Sequence, residues 1–390
     1  MLVISRRPGR LLALFLPALT VSIAALTTGT AHAASTAQAA STAQAASTAQ
    51  AAATPRAASF GGSANLASVS CRGSSWCMAV GSYTTTGGVR HSLAMTWNGT
   101  TWRKLKNPPG TQLASVSCSS PSFCMGSGGP TGAERWTGKI WRKMPSPKGG
   151  VSGVSCGTRT LCMMVHNQVV RAWDGTKWRV QSPTRICGGG PPGPCGLADV
   201  SCGSATDCMA VGTVTISQEP VQESVALNWN GKTWAGTSPP QDGNPSAANA
   251  VSCARGFCME AGGAFSETAN GGVAVAGAWH ASAATWTDVS PNLGTLCTGP
   301  LAYCFWTVTM SCASKSSCMS FGGKEGVFYW NGSAWSLAKP ASAGPGAGLR
   351  DVSCGGSDCI AVGFRIVAGK HRTLAELWNG SAWAIVRTPL

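Results

Sequence analysis

Charge is what this sequence has least of. Lys, Arg, Asp and Glu make up 11% of its 390 residues, where about a quarter is usual for soluble domains. Acids are the scarcer sign, with 14 Asp and Glu against 29 Lys and Arg, a net charge of +15. Titratable side chains of other kinds are also few, with five His and three Tyr. This poverty excludes coiled coils and long-helix architectures, which need Ala, Glu, Lys, Leu and Arg to dominate. Disorder through most of the chain is excluded by the opposite feature, because 44% hydrophobic residues suffice to bury a core. No Gly-x-Ser-x-Gly, His-Glu-x-x-His or phosphate-binding Gly-rich loop is present. What the chain has in excess is Gly (50), Cys (18) and Trp (16). Eighteen cysteines point to an oxidising compartment.

The first sixty residues read as an address and a spacer. Arg6, Arg7 and Arg10 precede an apolar run from Leu11 to Leu26, then small residues and Ala31-His32-Ala33. A positive segment, an apolar segment and an A-x-A site predict a secretory signal peptide over 1–33, cleaved near Ala33. The apolar run is short for a membrane span and holds Pro17. Residues 34–60 include three copies of Ser-Thr-Ala-Gln-Ala-Ala and should form a low-complexity linker.

From residue 61 on, one unit is written seven times. Its first copy runs Leu66-Ala-Ser-Val-Ser-Cys71, Cys77-Met-Ala-Val-Gly81, then Trp97-Asn-Gly-Thr-Thr-Trp102. The leading cysteines are Cys71, Cys118, Cys156, Cys202, Cys253, Cys312 and Cys354, each preceded by Ser. Trp pairs close the copies at 97/102, 136/141, 173/178, 229/234, 279/286, 330/335 and 378/383. Val-Ser-Cys and Cys-Met-Ala-Val-Gly are short β-forming runs across a polar turn. Asn-Gly between two aromatic positions is a hairpin signal. Four short strands in a unit of some forty residues are the mark of a propeller blade. The sequence therefore predicts an all-β, seven-bladed β-propeller of four-stranded antiparallel blades over 61–390. The blades fall at about 66–108, 113–147, 151–184, 197–240, 249–291, 307–340 and 349–390. The repeated Trp should pack blade against blade.

The eighteen cysteines divide into nine neighbouring pairs with none left over. Seven join the first two strands of a blade: Cys71–Cys77, Cys118–Cys124, Cys156–Cys162, Cys202–Cys208, Cys253–Cys258, Cys312–Cys318 and Cys354–Cys359. The other two, Cys187–Cys195 and Cys297–Cys304, fall between blades. Zinc is the competing chemistry for close cysteines, but it needs four ligands, and each pair here has its own strand-turn-strand setting. Disulfides are expected, with no metal and no cofactor.

The Ser-Cys strands and the Trp-Asn-Gly-x-x-Trp turns, spanning residues 66–388, resemble the repeat-built secreted β-propellers of bacteria, including kelch-like and lectin-like ones. The resemblance implies an extracellular propeller and carries no catalytic residue over. The Gly-x-x-Trp ending also resembles the Asp-box of sialidases, but Asn98, Asn230, Asn331 and Asn379 sit directly before Gly rather than two before it.

In a four-stranded meander the first and third turns share one face, and the second turns and blade-to-blade connections share the other. The second set varies in length here and is expected to form loops at Ser82–Ser92, Thr213–Ser224, Gly262–Gly272 and Phe364–Arg372. Long connections fall at Thr184–Leu197 and Asn292–Thr307, each with an extra cysteine pair. Variable loops on a rigid scaffold are where binding concentrates. Candidate contacts are Tyr83, Arg90, His91, Arg185, Glu219, Glu223, Tyr303, Trp306, Lys370, His371 and Arg372. Read blandly, these are solvated loop residues.

Two further features have both a functional and a bland reading. Arg103, Lys104, Lys106, Arg142, Lys143 and Arg179 follow the closing Trp of blades 1–3. They form either a surface for an anionic polymer or protection of exposed edge strands. Asp199 and Asp351 share a first-strand position that lines the central channel, where carboxylates serve either acid/base chemistry or strand-end hydrogen bonding. The composition favours a secreted, monomeric, non-catalytic binding module for a glycan, an anionic cell-envelope polymer or a protein. A polysaccharide hydrolase or lyase using Asp199 and Asp351, or a structural surface protein, are the alternatives. No nucleic-acid-binding module is legible, and the mature chain should lack a transmembrane segment.

Overall fold

A computed structural model describes residues 61–110, 112–128, 132–145, 153–166, 168–181, 195–216, 221–240, 246–266, 271–291, 307–322 and 326–390. The signal and linker segments, the Cys187–Cys195 and Cys297–Cys304 pairs, and Arg185, Glu219, Tyr303 and Trp306 involve positions outside the described residues.

Twenty-eight strands form seven sheets, each an antiparallel meander in sequence order. Blade 1 is Ala64–Cys71 (β1), Cys77–Thr84 (β2), Arg90–Trp97 (β3) and Trp102–Lys104 (β4). Blade 2 is Ser115–Ser120 (β5), Phe123–Ser127 (β6), Ala133–Trp136 (β7) and Trp141–Lys143 (β8). Blade 3 is Gly153–Cys156 (β9), Cys162–His166 (β10), Val169–Trp173 (β11) and Trp178–Gln181 (β12). Blade 4 is Cys195–Ser204 (β13), Asp207–Ile216 (β14), Val221–Trp229 (β15) and Trp234–Thr237 (β16). Blade 5 is Ser246–Ala254 (β17), Phe257–Ser266 (β18), Gly271–His280 (β19) and Thr285–Asp288 (β20). Blade 6 is Thr307–Ser314 (β21), Ser317–Gly322 (β22), Gly326–Trp330 (β23) and Trp335–Leu337 (β24). Blade 7 is Gly348–Gly355 (β25), Asp358–Val367 (β26), Lys370–Trp378 (β27) and Trp383–Ile385 (β28).

The repeated residues explain the local structure. Each leading cysteine faces its partner directly across the first hairpin, as Cys71 faces Cys77 and Cys354 faces Cys359. Their Cα atoms lie 3.9–4.0 Å apart, and all seven described pairs are disulfides. The closing Trp pairs also face each other across the outer hairpin, with ring centroids 5.3–5.9 Å apart and planes tilted by 45–55°. Because Trp97 pairs with Trp102, the Asn-Gly segment belongs to a four-residue loop rather than a two-residue turn. Asn98 Oδ1 accepts from the backbone N–H groups of Thr100 (3.0 Å) and Thr101 (2.8 Å), while Gly99 takes φ of 95°. Asx side chains close turns in this way.

The core lies between blades. Seven apolar clusters each join two neighbours, and one of them unites Met78, Val80 and Ala94 of blade 1 with Val116, Trp136 and Trp141 of blade 2. Another joins Ile360, Val362 and Ala375 of blade 7 to Leu66, Trp97 and Trp102 of blade 1. The Trp pairs thus pack blade on blade.

A ring of hydroxyls accounts for the serine before every leading cysteine. Ser70 Oγ accepts from the Cys118 N–H at 3.0 Å. Ser117 serves Cys156, Ser155 serves Cys202 and Ser201 serves Cys253. Ser252 serves Cys312, Ser311 serves Cys354, and Ser353 serves Cys71, which closes the circle at 2.8 Å. Inner strands are too splayed to share a ladder, so the side chain supplies the acceptor that each buried amide needs.

The four segments expected as loops, Ser82–Ser92, Thr213–Ser224, Gly262–Gly272 and Phe364–Arg372, are strand at both ends among the described residues. In blade 7 the ladder continues through Phe364↔Thr373, Arg365↔Arg372, Ile366↔His371 and Val367↔Lys370. It turns at Ala368 and Gly369, both with positive φ (49° and 71°), the backbone of a two-residue hairpin whose twist suits the strands. In blade 1 the ladder reaches Thr84↔Arg90, in blade 4 Ile216↔Val221, and in blade 5 Ser266↔Gly271. Extra length between the second and third strands therefore lengthens the hairpin, since every second added pair gains two backbone hydrogen bonds that a loop would leave to water.

Candidate functional site

The extended hairpins and the blade-to-blade connections share one face of the ring, and a cavity of about 850 Å³ opens among them. Blades 6, 7, 1 and 2 contribute to it. Its wall includes Arg90 of β3, Arg350 of β25, Asn65 of β1 and Gln112 before β5. The Pro340–Gly348 connection forms one side, built from Ala, Ser and Gly that expose backbone rather than bulk. Phe321, Val327, Leu349, Phe364 and Leu374 supply apolar surface.

A β-bulge shapes the mouth. The register slips between Leu66 and Ser68 opposite Gly81, and between Leu349 and Asp351 opposite Gly363. A Cβ on Gly81 would meet the Asn65 carbonyl oxygen at 2.1 Å, and one on Gly363 would meet that of Gly348 at 2.0 Å. The glycine that ends Cys-Met-Ala-Val-Gly is therefore required by close backbone approach.

The two guanidinium groups are exposed and differently held. Arg90 donates through Nε and Nη2 to Ser82 Oγ at 3.1 and 3.0 Å. Ser82 Oγ donates in turn to Asn65 Oδ1 at 3.1 Å. Arg350 lies 5.2 Å from the Phe364 ring centroid, a cation–π distance. His371 stacks on the same ring at 4.4 Å.

The one carboxyl among the described residues of the cavity wall, Glu376 of β27, was not legible as a site residue. It is 1% exposed and accepts from the Ala341 N–H at 2.9 Å. Burial pushes its pKa up to about 7, against the opposing pull of that amide. The carboxyl thus ties the Pro340–Gly348 connection to blade 7. Its position two before a Trp also holds Glu134 in blade 2, whose pKa burial likewise raises while the Gly110 amide lowers it. That shared place in the repeat was the signal available in the sequence.

The sequence candidates of blades 1 and 7 do come together, chiefly at the seam. Tyr83 stacks on His91 at 5.2 Å, accepts from Asn107 Nδ2 at 2.8 Å, and lies 4.7 Å from Lys104 Nζ. Lys370 Nζ donates to the Gly61 carbonyl, Arg372 Nη1 to that of Gly62, and the His371 N–H to Ser63 Oγ. Ser63 also bonds Thr84 of blade 1. Glu223 stands on β15 opposite Val214, in blade 4.

Asp199 of β13 and Asp351 of β25 hold equivalent first-strand positions, and their carboxylates are engaged by the backbone. Asp199 accepts from Val200 and, across the blade boundary, from Val251 at 2.8 and 3.1 Å. Asp351 accepts from Val352, from Val69 of blade 1 and from the Thr309 hydroxyl, at 2.9, 2.8 and 2.7 Å. Burial pushes Asp199 up to about 6, two amide donors oppose it, and the Asp351 charge adds to the rise. Burial raises Asp351 as well. Among the described residues no group of three or more His, Cys, Asp or Glu is arranged to hold a metal.

Fold and site together define a disulfide-clipped seven-bladed propeller with an arginine-bearing cavity on its hairpin face. No protein-family model and no curated relative matches the chain. Among solved structures it is similar to that of U3-55K (TM-score 0.50, 10% identity, covering 76% of this chain and 88% of that one). It is also similar to YCF48 bound to D1 peptide (TM-score 0.49, 12% identity, 77% and 91%), and to the GH74 enzyme of Niastella koreensis (0.48, 10%, 82% and 65%). At 10% identity the likeness to U3-55K shows the fold alone.

Proposed function

We propose that the chain is an exported, non-catalytic binding propeller whose ligand enters the cavity between blades 6, 7, 1 and 2. The observation that carries this reading is the cavity itself. It offers about 850 Å³ on a rigid scaffold, and its wall brings polar groups, among them Arg90, Arg350 and Gln112, together with apolar side chains such as Phe321 and Phe364, the mixture a ligand site needs. The non-catalytic reading is supported by the carboxylates. Glu376 is buried against an amide, and Asp199 and Asp351 spend their oxygens on strand N–H groups. An acid/base pair must instead reach a reacting atom. Export is supported by the seven described disulfides, which suit an oxidising, extracellular environment. Among the described residues no helix is long and apolar enough to cross a membrane.

The test is a thermal-shift panel of soluble neutral and acidic oligosaccharides and short peptides, run on the wild-type chain and on Ala347→Trp, which fills the cavity. At least one compound should raise the wild-type midpoint and leave that of Ala347→Trp unmoved. Equal stabilisation of both proteins would place binding elsewhere. Release of reducing ends from an acidic polysaccharide, abolished by Asp199→Asn, would replace the binding reading with a hydrolytic one.

A further inference from the structure

The positive charge of this protein is confined to less than half of its ring. Residues 61–180, which hold blades 1–3, carry 14 Lys and Arg against two acids, Glu134 and Asp174. Residues 181–390 carry 11 Lys and Arg against 12 acids. The two acids of the basic part are both committed. Glu134 is buried, and Asp174 pairs with Arg179 Nε.

Edge protection does not account for this asymmetry, because the fold repeats the same edge seven times. The outer strands of blades 1–3 read Trp102-Arg-Lys, Trp141-Arg-Lys and Trp178-Arg-Val. Those of blades 4–7 read Trp234-Ala-Gly, Trp286-Thr-Asp, Trp335-Ser-Leu and Trp383-Ala-Ile, with no cation in any of them. Four equivalent edges do without Lys or Arg, so the architecture does not demand them.

Blade 2 adds an arrangement that costs stability. Arg135 on β7 faces Arg142 on β8 directly across the ladder, and like charges so placed are destabilising. Arg135 Nε is moreover buried without a hydrogen-bond partner. Around this pair, Arg103, Lys106, Lys139, Lys143 and Lys177 are exposed. An anion seated between the two guanidinium groups would relieve the repulsion and take bidentate hydrogen bonds.

We propose that the outer rim of blades 1–3, centred on the facing Arg135 and Arg142, docks an anionic polysaccharide that carries charged groups on successive units. A polymer fits better than a small anion because cations of this rim recur on three consecutive blades. A polysaccharide fits better than a nucleic acid because the rim is poor in exposed base-stacking surface: Trp97, Trp102, Trp136, Trp141 and Trp173 are buried, and Trp178 is half-buried. The rim is separate from the cavity, so this inference stands or falls independently of the ligand reading above.

Binding of polygalacturonate is measured by biolayer interferometry at low and near-physiological salt. The wild-type chain should bind, with affinity dropping steeply as salt screens the contacts. Arg103→Ser, Arg135→Thr and Arg142→Ser together should weaken binding about tenfold or more without altering the melting midpoint downward. Each replacement is a residue that another blade already carries there: Ser336, Thr96 and Ser336. A control with the same charge loss in the other half, Lys232→Ser with Lys315→Ser and Arg387→Ser, should bind within about twofold of wild type. Ala347→Trp should bind as wild type. The proposal is overturned if polygalacturonate does not bind, or if its methyl ester binds equally well. It also fails if the control loses as much affinity as the rim variant, which would make net charge the cause. Tighter binding of oligothymidine than of polygalacturonate would give the rim to nucleic acid, and loss in Ala347→Trp would move the polymer to the cavity.

Discussion

At the scale of single residues, the chain buries acids in a molecule that has few. Glu376 has its pKa pushed up to about 7, and burial together with the Asp288 charge pushes Glu260 up to about 8. Both exceed the ordinary value of 4.5, so the folded chain binds protons more tightly than the unfolded chain. Stability from these groups is fully present below the unfolded pKa and is lost as pH rises through the folded ones. The unfolding free energy from denaturant titrations should therefore fall between about pH 5 and pH 8, by several kcal/mol as an order of magnitude. Glu376→Gln and Glu260→Gln in one chain should flatten that slope, because Gln stays neutral and its oxygen still accepts the Ala341 N–H. A pH dependence unchanged by both substitutions would show that these carboxyls are not its source. The serine ring gives a second prediction at this scale. Ser201→Ala strands the Cys253 amide, at a cost of about 1–2 kcal/mol in a urea titration.

At the scale of the element, the hairpins decide what could be read in advance. The Cys-to-Cys and Trp-to-Trp hairpins were legible because each carries its own punctuation: a turn, a cross-strand pair and a fixed length. The hairpins between second and third strands carry none. Phe364–Arg372 holds Gly369 within a run of mixed polarity, and only the ladder shows that it pairs to its tip. The Asn-Gly signal gave the hairpin but not the loop length, because the Asn98 side chain supplies the turn's hydrogen bonds. The cavity was illegible for a related reason. Pro340–Gly348 is a low-complexity run of Ala, Ser, Gly and Pro, and its value lies in where the ring brings it. One prediction belongs here. Gly363→Ala drives a Cβ into the Gly348 carbonyl, which must undo the bulge beside Arg350. It should cost about 2 kcal/mol or more. The same change at Gly236 of β16, where a Cβ would meet nothing, should be near neutral.

At the scale of the whole molecule, the question is how a ring of separate sheets stays shut. Every blade among the described residues is built from four consecutive strands, so the first and last blades share no sheet. Closure rests on side chains instead. Ser353 and Asp351 of blade 7 bond Cys71 and Val69 of blade 1. Lys370, His371 and Arg372 hold Gly61, Gly62 and Ser63. Lys370 and Arg372, proposed from sequence as ligand contacts, bring their cationic heads to carbonyls at the seam, and His371 contributes its backbone N–H. Asp351 and Asp199 occupy equivalent positions, one at the seam and one in mid-ring, which makes a controlled comparison. Either substitution to Ala leaves strand amides without acceptors, a local cost of about 1–3 kcal/mol. In mid-ring, a covalent connection still holds blade 4 to blade 5, so opening there is resisted. At the seam, where no chain connection backs them, the same loss weakens one of the non-covalent ties between first and last blades. Asp351→Ala should therefore raise amide exchange throughout β1 and β25 together, while Asp199→Ala raises it only near Val200 and Val251. Equal and local exchange in both variants would show that the apolar cluster of Leu66, Trp97, Ile360 and Val362 is sufficient to close the ring.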